Sequence, residues 1–434
     1  MTAETSRELF GTDGVRGLAG HYPLDTDGAT RIGAAVGSLF GQPGQTVIIG
    51  ADTRQSSVKL VKDLTAGLTS SGVNVVTVGV ITTPGLAYLT REGDYAAGVM
   101  VTASHNPYTY NGVKVFDAHG DKLDDDIEAR LNALIVDGVE PNNPGMVSRK
   151  TELVNLYQNF LVGSVDRLEL AGLKIAIDTA NGSASGIAER VFRLLGAEVT
   201  PLFNTPNGTN INDGCGATDT TVLQKTVVDN GLALGIAFDG DADRIMMVDH
   251  QGRQVNGDQL LYMMAVSDQV EGVVATVMSN LGFEQALQHN GIKLERVQVG
   301  DRYVLEGLRA TGYELGGEQS GHIIFPELLA TGDGLLAAVQ ALRVLHGANH
   351  SLADWRDDVP MLPQALVNIS VSDKKRLESP EVLALVAAET ALLGKAGRLL
   401  IRPSGTEPLA RVMVEAPDAQ AIAERIATAL KELV

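Results

Sequence analysis

The order strand, polar loop, helix, glycine, strand occurs three times along this chain, and it restricts the fold more than any other feature. The first copy is TVIIGADTR at 46–54, a helical pattern through Val58, Leu60, Val61, Leu64 and Leu68, then Gly72 and VNVVTVGV at 73–80. The second runs from LKIAIDTANG at 173–182 through Ile187, Val191 and Leu195 to Gly196 and AEVTPLF. The third runs from GVVATVMSN at 272–280 through Ala286 and Leu287 to Gly291 and IKLERVQVG. Short Val/Ile runs suit strands covered on both faces, and the 3.6-periodic stretches between them suit crossover helices. The pattern predicts three βαβ-containing units.

Each copy then reaches a further strand that ends in a polar, glycine-rich loop: YAAGVMVTASHNP at 95–107, LALGIAFDGDADR at 232–244 and GYELGGEQSGH at 312–322. In open α/β sheets ligands gather beyond the carboxyl ends of strands. Three similar domains could therefore each contribute one loop to a shared site. The segment 363–434 breaks the pattern. It reads as strand (ALVNISV), helix, strand (GRLLIRP), loop, strand (LARVMVEA) and a last helix, with Asp418 as its cap and Ile422, Ile426, Leu430 and Leu433 on one face. The expected fold class is α/β, with three similar α/β domains and a smaller C-terminal α+β domain. Linkers are expected near 140–146, 250–259 and 357–364.

A length of 434 residues accommodates two to four domains. Thirty-four basic against 53 acidic residues give a net charge of −19, which argues against a nucleic-acid binder, because a phosphate backbone needs a basic footprint. A local basic pocket for a small phosphorylated ligand stays open. No uncharged apolar run is long enough to span a bilayer, and MTAETSRELF lacks the apolar core of a signal peptide, so a cytoplasmic protein without membrane contact is expected. A single cysteine, Cys215, excludes an internal disulfide and a Cys-based zinc cluster. Cys215 and Trp355 read as packing residues. His21, His119, His250, His289, His346 and His350 show no metal-ligand spacing.

The acidic loop DGDADR is the most constrained. Asp239, Asp241 and Asp243 stand two apart, so on an extended strand end their carboxylates point the same way. Such like charges repel unless a cation partners them, and an oxygen-only set suits Mg²⁺ or Ca²⁺. An EF-hand is excluded, since Arg244 and His250 occupy the positions of its Gly and Glu. A solvated acidic turn is the plainer alternative. In TASHNPYTYNGVKVF, Ser104 follows an apolar strand, with His105 and Lys114 nearby in sequence. Ser104 could act as a nucleophile, although no GxSxG elbow surrounds it. IRPSGTEP offers Arg402, two hydroxyls (Ser404, Thr406) and the Gly405 N–H to a phosphate, without being a P-loop. GEQSGH offers Glu318, Ser320 and His322 to sugar hydroxyls, and FGTDGVRG presents Arg16 between glycines. Read singly, each of these loops is equally a capped turn.

Taken together and in order, FGTDGVRG, TASHNP…NGVK, DGDADR, GGEQSGH and RPSGTEP resemble the α-D-phosphohexomutases, over a stretch from Phe10 to about Glu415. TANGSASGIAERVFRLLGAEV, PNGTNINDGCGAT and VGDRYVLE resemble the bacterial branch that acts on glucosamine phosphates. The resemblance implies four domains with mixed sheets around a central cleft: 1–150 bearing a phosphoserine, 151–255 a metal, 256–362 the sugar site and 363–434 a phosphate site. It implies interconversion of glucosamine 6-phosphate and glucosamine 1-phosphate through a 1,6-bisphosphate, feeding UDP-N-acetylglucosamine and cell-wall synthesis. By the same resemblance Ser104 is the phosphoserine, and its phosphate shares one Mg²⁺ with Asp239, Asp241 and Asp243. Glu318, Ser320 and His322 are the expected sugar contacts, and Arg402, Ser404, Gly405 and Thr406 the clamp for the phosphate that is not transferred. Arg16, His105, Lys114 and Arg244 are the supporting groups, with Lys114 or His105 moving the proton. A hexose 1,6-bisphosphate is the expected activator, small phosphosugars are the expected partners, and a homodimer would be unsurprising. One departure is CGATD, where the family usually has CGSTH, so that Asp219 replaces a His with an expected local effect only. Phosphoglucomutase or phosphomannomutase activity is the nearest alternative. More distant ones are a non-catalytic phosphate-binding protein and a phosphatase that uses Asp239 as nucleophile.

Overall fold

The computed structural model describes residues 9–11, 14–371, 373–403 and 409–434. They form two compact units. The first holds the described residues up to Val277 together with Glu295–Arg356, and the second holds Met278–Leu294 with Asp357–Val434.

Three mixed sheets build the first unit. The six-stranded sheet runs Val15–Leu18, Tyr110–Phe116, Ala97–Val101, Thr46–Ala51, Asn74–Val80, Val147–Arg149. Its central strands are parallel, while Tyr110–Phe116 is antiparallel to both neighbours. The five-stranded sheet runs Gln254–Val255, Ile245–Asp249, Leu234–Phe238, Lys174–Asp178, Glu198–Leu202. In the third, Gly272–Thr276 lies parallel to Leu315–Gly317, which pairs antiparallel with Ile323–Ile324. The central strands are Val/Ile-rich and wholly buried: Val47, Ile48, Ile49, Val99, Ile236, Val273 and Val274 have no exposed surface. That burial on both faces explains why they do not alternate in polarity.

The threefold recurrence has a structural counterpart. In each sheet a buried parallel strand turns back into an antiparallel partner: Ala97–Val101 into Tyr110–Phe116, Leu234–Phe238 into Ile245–Asp249, Leu315–Gly317 into Ile323–Ile324. The three turns are the loops that carry TASHNP, DGDADR and EQSGH.

In the second unit Gln364–Ser370, Leu409–Glu415 and Arg398–Pro403 form an antiparallel sheet, with Leu409–Glu415 in the middle. Ile426 and Leu430 of the helix Ala419–Lys431 are buried in its core, and Ile422 and Leu433 pack against it, as the helical periodicity predicts. Asp418 does stand at the cap position, but its side chain accepts no cap hydrogen bond. The backbone there (φ −106°, ψ 38°) is not the extended one that aims a cap carboxylate at the first turn.

The helix Leu281–His289 groups with the C-terminal segment in the second compact unit. Leu281 N–H donates to Glu415 (3.0 Å), and Asn280 pairs with both the N–H and the carbonyl of Leu362 (3.0 Å each). Segment 250–259, where a linker is expected, joins the five-stranded sheet to the helix Gly257–Asp268. Its turn is tied by the Gln251 and Arg253 N–H groups to the Asp249 carboxylate, and Asn256 and Gln259 form a capping box that starts the helix Gly257–Asp268.

Cys215 is buried, and Trp355 packs edge-on to Tyr262. Burial, then the Asp178, Asp213 and Asp219 carboxylates, push the Cys215 thiol up to about 12. Since the thiolate is the reactive form, native protein should resist iodoacetamide at pH 8 and react once unfolded. Mass spectrometry reads the adduct, and rapid labelling of native protein would contradict this. Asp219 is exposed and accepts from Thr221 N–H (3.1 Å), a local contact at a helix start. Among the described residues no helix is long and apolar enough to cross a membrane.

Candidate active site

Ser104 is buried and left-handed, with φ +50°. A serine at positive φ is strained unless its surroundings hold it there. Here they do. Its N–H donates to Thr102 Oγ1 (3.0 Å), which in turn donates to Asp52 Oδ2 (2.7 Å). Its carbonyl accepts from Arg54 Nη2 and Asn212 Nδ2 (2.9 Å each). Arg54, with no exposed surface in its side chain, also donates to the carbonyls of Asn106 (2.8 Å), Pro107 and Tyr110 (3.2 Å), and pairs through Nε with Asp52 (2.8 Å). One guanidinium thus moulds the whole loop. Asp52 and Arg54 close the first copy's TVIIGADTR. The signal was a carboxylate and an arginine at the carboxyl end of a buried strand, and sequence reasoning passed over it.

The second loop sits against the first. Ser104 Oγ donates to Asp239 Oδ2 (2.7 Å), and His105 Nδ1 lies 3.2 Å from the same hydroxyl. Gly240 allows the approach, because a Cβ there would stand 2.6 Å from the Ser104 carbonyl oxygen. Lys114, on the strand opposite Met100, reaches Asp241 Oδ2 (2.8 Å) and Asp243 Oδ2 (3.1 Å). Thr83, another residue the sequence reading left aside, donates to Asp241 Oδ2 (2.6 Å).

The three carboxylates are buried, with one oxygen from each lying within 4.8 Å of the others. Burial, then the charges of Asp243 and Asp241, hold Asp239 well above the usual carboxylate range. Burial also opposes ionisation of Asp241 and Asp243. Asp241 is nonetheless held low by Lys114 and Thr83, and Asp243 by Lys114, His322, Arg244 and Lys122. The Oδ1 atoms of Asp241 and Asp243 are buried without a hydrogen-bond partner. Bare carboxylate oxygens converging in a buried oxygen-only site fit a hard divalent cation.

Arg244 is half-buried. Burial works against its charge, but Asp243, Asp239, Glu318 and Asp241 outweigh it and hold the guanidinium ionised. Arg16, opposite Gly112 in the sheet, also faces this region. Burial, then the charges of Arg244 and Arg16, push His105 below its ordinary value, so its ring is neutral and able to accept a proton.

The third loop is pinned to the second. The Ile245 N–H donates to the Gly321 carbonyl (3.0 Å), and a Cβ on Gly321 would lie 1.8 Å from the Ile245 carbonyl oxygen. Glu318 accepts from the Gly300 N–H (3.2 Å) and from Ser320 Oγ (3.1 Å), and both side chains stay half-exposed. His322 differs from its two neighbours. It is buried, with Nε2 accepting from the Gly332 N–H (3.1 Å) and Nδ1 4.0 Å from Asp243. Its Nδ1 edge thus faces the acidic cluster. Arg402 lies in the second unit, 3.9 Å from Met278 Sδ, and burial followed by the charge of Arg411 lowers its pKa. Ser404, Gly405 and Thr406 lie outside the described residues.

The geometry can be set beside known proteins. Four domain descriptions of phosphoglucomutase/phosphomannomutase match in order: domain I over residues 7–140, domain II over 154–252, domain III over 256–361 and the C-terminal domain over 366–433. A phosphoglucosamine mutase of Thermus thermophilus is 45% identical over 431 residues, covering 99% of this chain and 98% of its own. One from Deinococcus deserti is 47% identical over 429 residues, covering 97% and 96%. Among solved structures, a phosphoglucomutase/phosphomannomutase family protein from Burkholderia thailandensis superposes with a TM-score of 0.81 at 25% identity, covering 99% of this chain and 97% of that one. The Aspergillus fumigatus N-acetylphosphoglucosamine mutase, solved with GlcNAc-6P and magnesium, shares the fold with a TM-score of 0.68 at 18% identity, covering 98% and 96%.

Proposed function

Because the chain belongs to the phosphoglucomutase/phosphomannomutase family, the α-D-phosphohexomutases, we propose that it is the member that interconverts glucosamine 6-phosphate and glucosamine 1-phosphate in the cytoplasm. The observation that carries the chemistry is Ser104 Oγ, 2.7 Å from Asp239 at the edge of a buried oxygen-only cluster. Full-length identity to phosphoglucosamine mutases supports the choice of sugar.

Ser104 cycles between phosphoserine and free serine. In the first half-reaction the sugar's free C1 or C6 hydroxyl oxygen bonds to phosphorus and the P–Oγ bond breaks. The proton shed by the attacking hydroxyl passes to the departing Ser104 oxygen, and His105, neutral and 3.2 Å from that oxygen, is the group placed to carry it. Lys114 is committed to two carboxylates and acts through charge. The 1,6-bisphosphate turns around, and Ser104 Oγ then takes the other phosphate back by the same steps reversed. Mg²⁺ held by Asp239, Asp241, Asp243 and a phosphoserine oxygen would neutralise charge on the group in transfer. Arg16 and Arg244 add fixed positive charge. Glu318 and Ser320 bind sugar hydroxyls, and Arg402, Ser404, Gly405 and Thr406 bind the phosphate that is not transferred. A hexose 1,6-bisphosphate activates by phosphorylating Ser104 and leaving as the monophosphate.

A coupled assay tests the reading. Isomerisation of glucosamine 6-phosphate should require Mg²⁺, stop in EDTA, rise with a trace of glucose 1,6-bisphosphate and exceed the rates on glucose and mannose phosphates. No conversion under any of these conditions, or net release of inorganic phosphate, would contradict it.

A further inference from the structure

The acidic loop is held by a residue from a distant part of the chain. Thr83 opens the helix Thr83–Glu92, which Thr82 caps through the Gly85 N–H and Pro84 helps to start. Thr83 is only 1% exposed. Its N–H donates to the Asp241 carbonyl oxygen (3.0 Å) and its Oγ1 to Asp241 Oδ2 (2.6 Å). Lys114 gives that same Oδ2 a second donor at 2.8 Å, while Oδ1 is buried and has no hydrogen-bond partner. One oxygen is saturated and the other bare, so the carboxylate is oriented as well as neutralised. The two donors differ in what they can fix. A lysine ammonium is a rotatable point charge on a long flexible stem. A threonine hydroxyl is carried on a stiff, β-branched side chain, and here its main chain is bonded to the same residue it orients.

We propose that Thr83 is a positioning residue for the metal site, fixing the Asp241 carboxylate so that Oδ1 faces the cation. The inference rests on reading the acidic cluster as a divalent-cation site. It deepens that reading by placing part of the supporting shell in the segment that precedes Ser104 rather than in the loop that supplies the three aspartates. Metal affinity therefore depends on a hydroxyl that touches no metal.

Mn²⁺ is a suitable probe, because free Mn²⁺ is counted directly by its paramagnetic resonance during titration of the EDTA-stripped, full-length protein. Thr83→Val should weaken Mn²⁺ binding by roughly 10–100-fold, whereas Thr83→Ser should stay within about threefold of the parent. The unfolding midpoint of the stripped Thr83→Val protein should fall by no more than the loss of one hydrogen bond accounts for, whereas a role confined to stability would lower it and leave affinity alone. Should Thr83→Val fail to fold, Thr83→Ala, which adds no new bulk beside Asp241, carries the same expectation. Equal affinity in parent and variant, or a Ser variant as weak as the Val one, would overturn the role of Thr83. No Mn²⁺ binding by the parent protein would instead overturn the metal-site reading on which it rests.

Discussion

Ser104→Ala should lower turnover by on the order of 10⁶-fold, the scale on which removal of a covalent nucleophile acts in a well-characterised hydrolase. In the proposed mechanism the hydroxyl oxygen is the atom to which phosphate is attached and from which it leaves, and its two neighbours are already engaged with it. His105 reaches it only through Nδ1, and Asp239 already accepts its proton. The fold should survive. The variant keeps the main-chain bonds that hold residue 104 (Thr102 to its N–H, Arg54 and Asn212 to its carbonyl) and loses the hydroxyl's two hydrogen bonds, to Asp239 and His105, a cost of about 1 kcal/mol each. Circular dichroism and urea unfolding would verify the fold, and the coupled assay the activity. A folded variant that retains substantial activity would rule out phosphate transfer through this serine.

Arg54→Met should have the largest effect on stability, about 3–5 kcal/mol, the usual consequence of deleting one member of a buried ion pair. Arg54 and Asp52 both have side chains with no exposure, joined at 2.8 Å. Methionine fills much of the volume but leaves the Asp52 carboxylate buried without its cation and takes the guanidinium from four loop carbonyls, of which those of Ser104 and Asn106 keep Asn212 Nδ2 as donor. Against a total stability of about 5–15 kcal/mol, that is a large share. The double variant Asp52→Leu/Arg54→Met should recover part of the loss, because no unpaired charge remains. Urea midpoints for the three proteins measure this. A loss below about 1 kcal/mol for Arg54→Met would mean that the Ser104 loop is held by something other than the guanidinium.

Much of the site was legible because it is local. Three aspartates two residues apart, a serine at the end of an apolar strand and the GEQSGH turn all sit on hairpin loops that the strand pattern placed beforehand. What escaped was what depends on long-range packing. Asp52 and Arg54 read only as the end of a strand and the start of a polar loop, since charged residues are seldom buried unless paired. Their partners Thr102, Ser104 and Tyr110 lie some fifty residues further on. Thr83 reads as half of a helix start, and nothing local connects it to Asp241. His322 reads as a companion of Glu318 and Ser320, and only the folded chain shows it buried and 4.0 Å from Asp243. The helix Leu281–His289 was legible as a helix. Its packing against the C-terminal segment, through Glu415 and Leu362, was not.

In the proposed mechanism phosphate resides on Ser104 and moves from there to the sugar. Incubating the protein with glucose 1,6-bisphosphate, mapping the phosphorylated peptide by mass spectrometry, and then adding glucosamine 6-phosphate tests it most directly. The expected result is an acid-stable phosphate on Ser104 that disappears when the sugar is added and reappears in glucosamine 1,6-bisphosphate. A hydroxylamine-labile phosphate on Asp239, or a phosphate on Ser104 that no sugar can remove, would contradict it.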